Sequence, residues 1–548
     1  MKNRKQRGRL SGAEVALLAA AIILALLIGF GLFRLTGLLR ADREEATASP
    51  LPSATPAPQT LAAPEDWLPQ NLYTGSAPPE AVFQDEDAAE IPLSALQRAE
   101  DRGLWLVFWA SWCPDCDRQF RIIQEMEALA ERYAVRLVLV DRLNPEKESV
   151  GAARQKIADV GAVSPVVYDR NETVYKAWGL REIPSAVVLD RNGRVAAFDS
   201  GDMTAGACEG MLKNALEGPD QAGLAFIRAR LSDGQGGVGT STAAGGESPS
   251  GADVLSESEG LLLQYALAMD NQPLFDETMR CVRERLTVDG LLAWYCSAEG
   301  PAAVNATLDD LRVWDALHAA SARWPGDYAA WADEMADAIC SRCVNTSGGL
   351  VDWVELTGGG RAETISLSYL DLNVLRALAG VRPDFQPAVD KAEELLRNGR
   401  ISDSFPLYYS GYSYPGGAYS QADLNMAEAL VTLWNLSRAG ALPADAWDWL
   451  RARIMAGDLP ARCHVDGTAV SGYTYHATAV WGLAALISRE QGDAAAFEKA
   501  LRRMNRLCVT DTSDAMYGAY AQRGASAYAF DQLIPLLVNA GLSAGRAE

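Results

Sequence analysis

The sequence predicts a multidomain chain: an N-terminal transmembrane helix, an α/β domain, then an all-α domain of stacked helical hairpins or an α/α barrel. Three observations predict it. A basic cluster (Lys2, Arg4, Lys5, Arg7, Arg9) precedes an uncharged run from Val15 to Phe33. Strand and helix patterns alternate from about Ala95 to Leu216. After Leu255 the strand signals almost vanish, and eleven or twelve helix-period segments of roughly 12–18 residues recur, including 260–269, 364–379 and 525–539. At 548 residues two or three domains are expected, each able to bury its own core.

Taken in order, the apolar run would span about 28 Å as a helix, close to the thickness of a hydrocarbon core. It ends in Gly31-Leu32-Phe33-Arg34 with no Ala-x-Ala pattern, which favours an uncleaved signal anchor within residues 1–40 over a cleaved leader. The basic side should stay cytoplasmic and everything after residue 40 lie outside, giving a single-pass protein of a bacterial cell membrane. Residues 41–94, rich in Pro, Ala, Ser and Thr over 44–64, read as an extracytoplasmic spacer. Within 95–218, LWLVFWA (104–110), VRLVLVD (135–141) and SAVVLD (185–190) read as strands, Asp115–Tyr133 as a helix and Asn192-Gly193 as a turn. Residues 219–254, Gly/Ser-rich over 232–253, read as a flexible linker, and 255–548 as the helical domain. The 71 acidic against 49 basic residues leave a net charge of −22, which excludes a nucleic-acid partner for want of a cationic face. Nine cysteines are too few for a disulfide scaffold.

The first chemical motif is Trp112-Cys113-Pro114-Asp115-Cys116, placed where a strand passes into a helix. The first sulfur then lies at a helix N-terminus, where free N–H groups and the macrodipole favour thiolate. Cys116 lies one turn along, and Glu182-Ile183-Pro184-Ser185 stands immediately before a later strand. On these motifs residues 95–218 resemble the thioredoxin fold, and most of all the membrane-tethered extracytoplasmic proteins that reduce or oxidise partner disulfides. The resemblance implies Cys113 as nucleophile, Cys116 as resolving thiol, Trp112 beside them and Pro184 as a cis proline. It further implies protein dithiols or disulfides as partners, and no cofactor. Two positions depart from the pattern: Val107 replaces the buried acid of thioredoxin, and Gln119 replaces a glutamate common in the tethered relatives. Asp115 or Asp117 could substitute as proton acceptor. A structural disulfide or a zinc half-site are the alternatives.

The second set of motifs lies in the helical part. Ser256-Glu257-Ser258-Glu259-Gly260 opens it, and Ala306-Thr307-Leu308-Asp309-Asp310-Leu311-Arg312 follows before HAASARW. With fainter likeness through LSYLDLNVLRAL (367–378), AYSQADLNMAEAL (418–430) and YTYHATAVWGLAAL (473–486), residues 255–545 resemble glycoside hydrolase family 8, inverting (α/α)6-barrel enzymes that cut β-glucans. The resemblance implies a general acid at Glu259 by the local Ser-Glu-Gly motif, or at Glu257 by counting back from Asp270. It also implies a substrate-binding acid at Asp310. Leu308 and Ser420 occupy two places where the family carries aspartate, with Asp309 and Asp423 the nearest carboxylates. Inversion needs one protonated carboxyl and one carboxylate, about 6.5–9.5 Å apart. Aromatic candidates for sugar stacking are Trp314, Trp324, Trp353 and the loop tyrosines 408, 409, 412, 414 and 419, with Trp314, Tyr412 and Tyr419 foremost; core packing is the competing role.

Cys340-Ser-Arg-Cys343 lies in a helical stretch and reads as a local disulfide or two unrelated thiols, while Cys281, Cys296, Cys463 and Cys508 could pair with one another. The three histidines show no metal-ligand spacing, and no metal site or nucleotide loop is expected. The expected function is thiol–disulfide exchange at the CPDC motif, joined to a barrel that binds β-linked glycan. A β-glycan hydrolase with an accessory thioredoxin-like domain, and a non-catalytic glycan-binding surface protein, are the alternatives.

Overall fold

The computed structural model describes residues 69–243, 250–522 and 525–547, with side chains to residue 542. The expected signal anchor and the spacer as far as residue 68 lie outside the described residues. Among the described residues no helix is long and apolar enough to cross a membrane.

The first domain is built on seven strands: β1 (Val82–Gln84), β2 (Glu90–Pro92), β3 (Gly103–Trp109), β4 (Val135–Asp141), β5 (Val166–Tyr168), β6 (Ser185–Asp190) and β7 (Val195–Ser200). They lie in the order β2-β1-β5-β4-β3-β6-β7, with β3 parallel to β4 and antiparallel to β6. Every residue of β3 is buried, because a central strand covered on both faces needs apolar side chains without alternation. Trp105, Val107 and Trp109 pack with Ile123, Met126 and Leu212 on one face. Leu104, Leu106 and Phe108 pack with Phe83, Val174 and Trp178 on the other. The helix expected over 115–133 is two helices, Pro114–Gln119 and Ile123–Arg132, joined by a single 3-10 turn.

This domain starts earlier than expected. Residues 69–94, assigned by composition to the spacer, supply β1 and β2, and they bury Leu72 and Phe83 completely. Pro92 itself closes β2, opposite Val82 of β1.

The helical domain is a closed ring. Helices Ser256–Ala268, Thr307–Arg323, Leu372–Val381, Met426–Arg438, Thr478–Glu490 and Ala529–Ala547 pack as neighbours in that order, and the last packs against the first. Helices Gln272–Cys281, Tyr328–Arg342, Gln386–Asn398, Ala444–Ala456 and Ala494–Met504 alternate with them outside. The inner helices are buried nearly all round, as Thr478 to Ser488 show. The helix expected over 364–379 starts only at Leu372, because Thr364–Ser366 pair as a strand with Gly411–Ser413 and the Asp371 carboxylate caps the helix.

The sixth outer helix comes from the segment read as a linker. Pro219–Phe226 continues through the π-turn Ile227–Leu231 and packs on Ala529–Ala547. Beyond it, Ser232 bridges Val238, Gly239 bridges Val254 and Ser241 bridges Tyr528. The glycines that suggested flexibility permit close approach instead. A Cβ on Gly237 would stand 2.6 Å from the Val254 side chain, and one on Gly251 would stand 2.0 Å from the Ala243 carbonyl.

The two domains share a packed boundary. Cβ atoms on Gly206 and Gly210 would fall 1.9 Å from the Asp511 carboxylate and 1.8 Å from the Thr510 carbonyl. Thr204 Oγ1 donates to Asp511 at 2.6 Å, and Thr512 Oγ1 to Glu209 at 2.9 Å. The Thr74 N–H donates to Glu498 at 3.0 Å, and the Arg502 guanidinium to the Leu72 carbonyl at 2.8 Å.

Candidate active sites

The end of β3 delivers Cys113 to the N-cap of Pro114–Gln119, with Pro114 in the first turn where no N–H is missed. The Cys116 N–H donates to the Cys113 sulfur at 3.2 Å, and the Cys113 thiol donates to the Ile183 carbonyl at 3.4 Å. The Ile183–Pro184 peptide is cis, as the thioredoxin resemblance implied. Cys113 is 5% exposed and Cys116 1%. Burial first, then the Cys113 sulfur, pushes the Cys116 thiol well above its usual range. Trp112 flanks the pair, with the Lys147 ammonium 4.1 Å from its ring centroid. Asp115 and Asp117 are engaged with Arg118 and Lys156 respectively.

A carboxyl pair next to this loop escaped the sequence reading. Glu148 accepts from the Ser111 N–H at 3.0 Å and its hydroxyl at 2.5 Å, two residues before Cys113. Asp141, at the end of β4, is fully buried beside Glu148, and among the described residues no N–H or hydroxyl group reaches either of its oxygens. Burial, then the Glu148 charge, pushes Asp141 up to about 8. Its position at the last residue of a buried strand was the available signal.

In the ring, side chains from the first turns of the inner helices converge. Arg312, 4% exposed, stands 3.2 Å from Asp309 and 3.7 Å from Glu257. The Ser256 hydroxyl donates to the second Asp309 oxygen at 2.7 Å. Burial pushes Asp309 up to about 7, against the pull of Arg312 and with a contribution from Glu257. Gly260 makes room for this arrangement, since a Cβ there would press on Arg312 at 3.3 Å. Tyr369 lies within the fields of Asp309, Asp352 and Glu257, and burial drives its phenol pKa up. Glu428, raised by burial and by Asp352, accepts from the Ser368 hydroxyl at 3.3 Å.

Several assigned residues lie elsewhere. Glu259 is fully buried, accepts from the Val238 N–H at 2.7 Å and is pushed by burial to about 8. Asp310, also fully buried, accepts from the Leu292 N–H at 2.8 Å and the Asn305 amide at 2.6 Å. Both hold backbone together and offer nothing to a ligand. The helical period explains the split: Asp309 and Arg312 share a face at i,i+3, while Asp310 is turned about 100° away. Trp314 is 1% exposed and stacked on His318 at 5.1 Å, so it is core. Tyr419 donates to the Leu395 carbonyl at 2.8 Å and packs on Tyr409 and Tyr412, which leaves Tyr412 half-buried at the margin. Asp423 is exposed and pairs with His464 at 2.7 Å. Arg312, Asp352, Tyr369 and Glu428 were missed; only Arg312 carried a signal, its spacing from Asp309.

All nine cysteines are free thiols. Cys340 and Cys343 are therefore separate, Cys343 buried under the Asn305 amide, and the four scattered cysteines are unpaired.

Comparison with known proteins gives relatives for both domains. "Thiol-disulfide oxidoreductase ResA" of Geobacillus kaustophilus (strain HTA426) is 30% identical over 134 residues, 24% of this chain and 72% of that protein. "Putative lipoprotein YdaJ" of Bacillus subtilis (strain 168) is 25% identical over 291 residues, 52% of this chain and 78% of that protein. Among solved structures, a novel alpha-amylase from Clostridium perfringens matches with TM-score 0.55 and 26% identity, over 59% of this chain and 97% of that one. Endoglucanase Cel10 from Klebsiella pneumoniae, a family 8 glycosyl hydrolase, matches with TM-score 0.43 and 18% identity, over 59% of this chain and 99% of that one. The Redoxin family matches residues 74–216, which takes in β1 to β7 and the helix that follows them. With its thioredoxin-like sheet in that family and its helical ring built like a glycosidase, this chain belongs to the ResA-like thiol–disulfide oxidoreductases of the Redoxin family.

Proposed function

We propose that the chain exchanges disulfides with proteins outside the cytoplasm through Cys113 and Cys116, and that its ring takes a glycan at the Glu257–Asp309–Arg312 centre. The observation that carries the first part is the seat of the Cys113 sulfur, held between the Cys116 N–H and the Ile183 carbonyl next to cis-Pro184. In the reducing direction the Cys113 thiolate attacks a partner disulfide, one partner sulfur leaves as thiolate, and a mixed disulfide forms. The Cys116 sulfur then attacks Cys113, its proton passes to a departing partner thiolate, and the partner is released as a dithiol. Run backwards, the same steps oxidise a partner. Burial of Cys116 keeps it protonated until the mixed disulfide forms, which separates the two roles.

The basic cluster and apolar run at 1–40 would anchor the chain in the membrane, in line with the lipoprotein name of the YdaJ relative. For the ring, the alpha-amylase likeness adds α-linked glucan to the β-glucans expected from the family 8 resemblance. The redox part is tested by alkylation of the reduced chain and by Cys116→Ser trapping in intact cells. Cys113 should label first, and the trap should hold extracytoplasmic proteins through Cys113. Equal labelling of the two thiols together with an empty trap would remove this function.

A further inference from the structure

If the ring hydrolyses a glycan, it needs a carboxylate to activate water as well as an acid at the leaving oxygen. Ser420 leaves the family's usual place for that carboxylate empty, Asp423 is occupied with exposed His464, and Glu259 and Asp310 hold backbone. One acid outside all the motifs stands among the same groups with its carboxylate held in place. Asp352 lies on the loop facing the start of helix Thr307–Arg323, where its carbonyl accepts from the Thr307 N–H at 3.0 Å and its own N–H donates to the Thr364 carbonyl at 3.0 Å. This fixes its backbone two residues from Asp309. Its carboxylate is aimed by two bonds, from the Thr364 hydroxyl and from the Ser366 N–H, each 2.6 Å. Each oxygen thus accepts one donor and keeps a lone pair free. The side chain is partly exposed, unlike Asp310 and Glu259, and shares the surroundings of Tyr369 with Asp309 and Glu257.

We propose that Asp352 is the general base of the ring, acting opposite Glu257 as the general acid. The assignment rests on the reading of the ring as a glycan site. Glu257 gives its proton to the glycosidic oxygen as the bond from that oxygen to the anomeric carbon breaks. A water oxygen bonds to the same carbon from the opposite face, and the proton that water loses goes to Asp352. The products are a new reducing end of inverted configuration and a free hydroxyl. Proton return from Asp352 to Glu257 through solvent resets the pair.

The test uses the full-length chain with soluble starch, mixed-linkage β-glucan and carboxymethyl cellulose, read by reducing-end release and by anomeric configuration in NMR. Asp352→Asn should lower kcat by about 10²–10⁴ while KM and the melting temperature stay close to wild type. Asp423→Asn, at an exposed carboxylate paired with His464, should stay within a few-fold of wild type. Because Asn can keep accepting from the Ser366 N–H while the Thr364 hydroxyl turns to accept from its amide, folding should survive; Thr364→Val, which removes only an aiming bond, should cost a smaller factor in kcat. Wild-type turnover that persists in Asp352→Asn would overturn the base assignment and leave the hydrolase reading intact. Absence of turnover by the wild type on every substrate would overturn the base assignment, and absence of binding to the same glycans would overturn the glycan-site reading as well.

Discussion

The two sites of this chain are assembled in opposite ways. The proposed redox site draws almost everything from one strand end and the turn after it, Trp112 to Cys116, and borrows one carbonyl from beside Pro184. The proposed glycan site draws side chains from the N-terminal parts of three inner helices and from two connecting loops. A local site survives as a contiguous motif, because its geometry is the geometry of a helix N-terminus. A distributed site has no contiguous signature, and its partners meet only once the ring has closed. Each site can therefore be broken in a way that leaves the other intact, and the sizes of the effects separate the two designs.

The largest effect is expected at Cys113. Cys113→Ser should abolish disulfide exchange with a model protein substrate while reducing-end release by the ring is unchanged; retained exchange would place the chemistry on another of the nine thiols.

Next comes the choice between the two glutamates of the opening helix. Glu257→Gln should lower any hydrolysis by about 10²–10⁴ with little change in stability, as loss of proton transfer does. Glu259→Gln should leave kcat within a few-fold and act on stability alone, since that carboxyl meets only the Val238 N–H. The reverse pattern in paired kinetics and thermal melts would return the acid to Glu259.

Smaller, and purely structural, is the response of the glycine-rich segment. Gly251→Ala should destabilise the helical domain by about 1–3 kcal/mol, because the new methyl group meets the Ala243 carbonyl. Chemical denaturation would measure it, and a neutral result would restore the picture of a loose linker.

The response to pH is spread over both domains. Asp141, raised to about 8, binds its proton more tightly folded than unfolded. Its stabilisation is complete below the unfolded value near 4 and is lost as pH rises through about 8. Asp309, raised to about 7, acts in the same direction within the ring. Melting temperatures should fall between pH 5 and pH 9, and Asp141→Asn should flatten that dependence for the redox domain.

How far each region could be read from sequence follows from the same contrast. The unbroken apolar stretch of β3, the CPDC turn and the Ile-Pro ahead of β6 were legible because each is a local physical requirement. The closed ring was legible as a count of helical periods. Its twelfth helix was not, because Pro219–Phe226 adjoins a glycine-rich segment whose composition mimics a tether. Asp309 and Asp310 stand side by side in sequence, yet one faces Arg312 and the other the Leu292 backbone, a difference set by the 100° step of the helix rather than by residue type. Trp314 could have served as platform or as core, and only packing against His318 decides it.

The Arg502–Leu72 and Glu498–Thr74 bonds carry a mechanical consequence. Residues 71–75 lie where redox sheet and helical ring are stitched together: the Asn71 N–H donates to the Trp178 carbonyl, and the Gly75 N–H to the Val195 carbonyl. Tension applied from the N-terminal side is thus divided between both domains at once. Pulling the two domains apart therefore requires these bonds to break together, which couples their separation to the loss of the 72–75 segment from both.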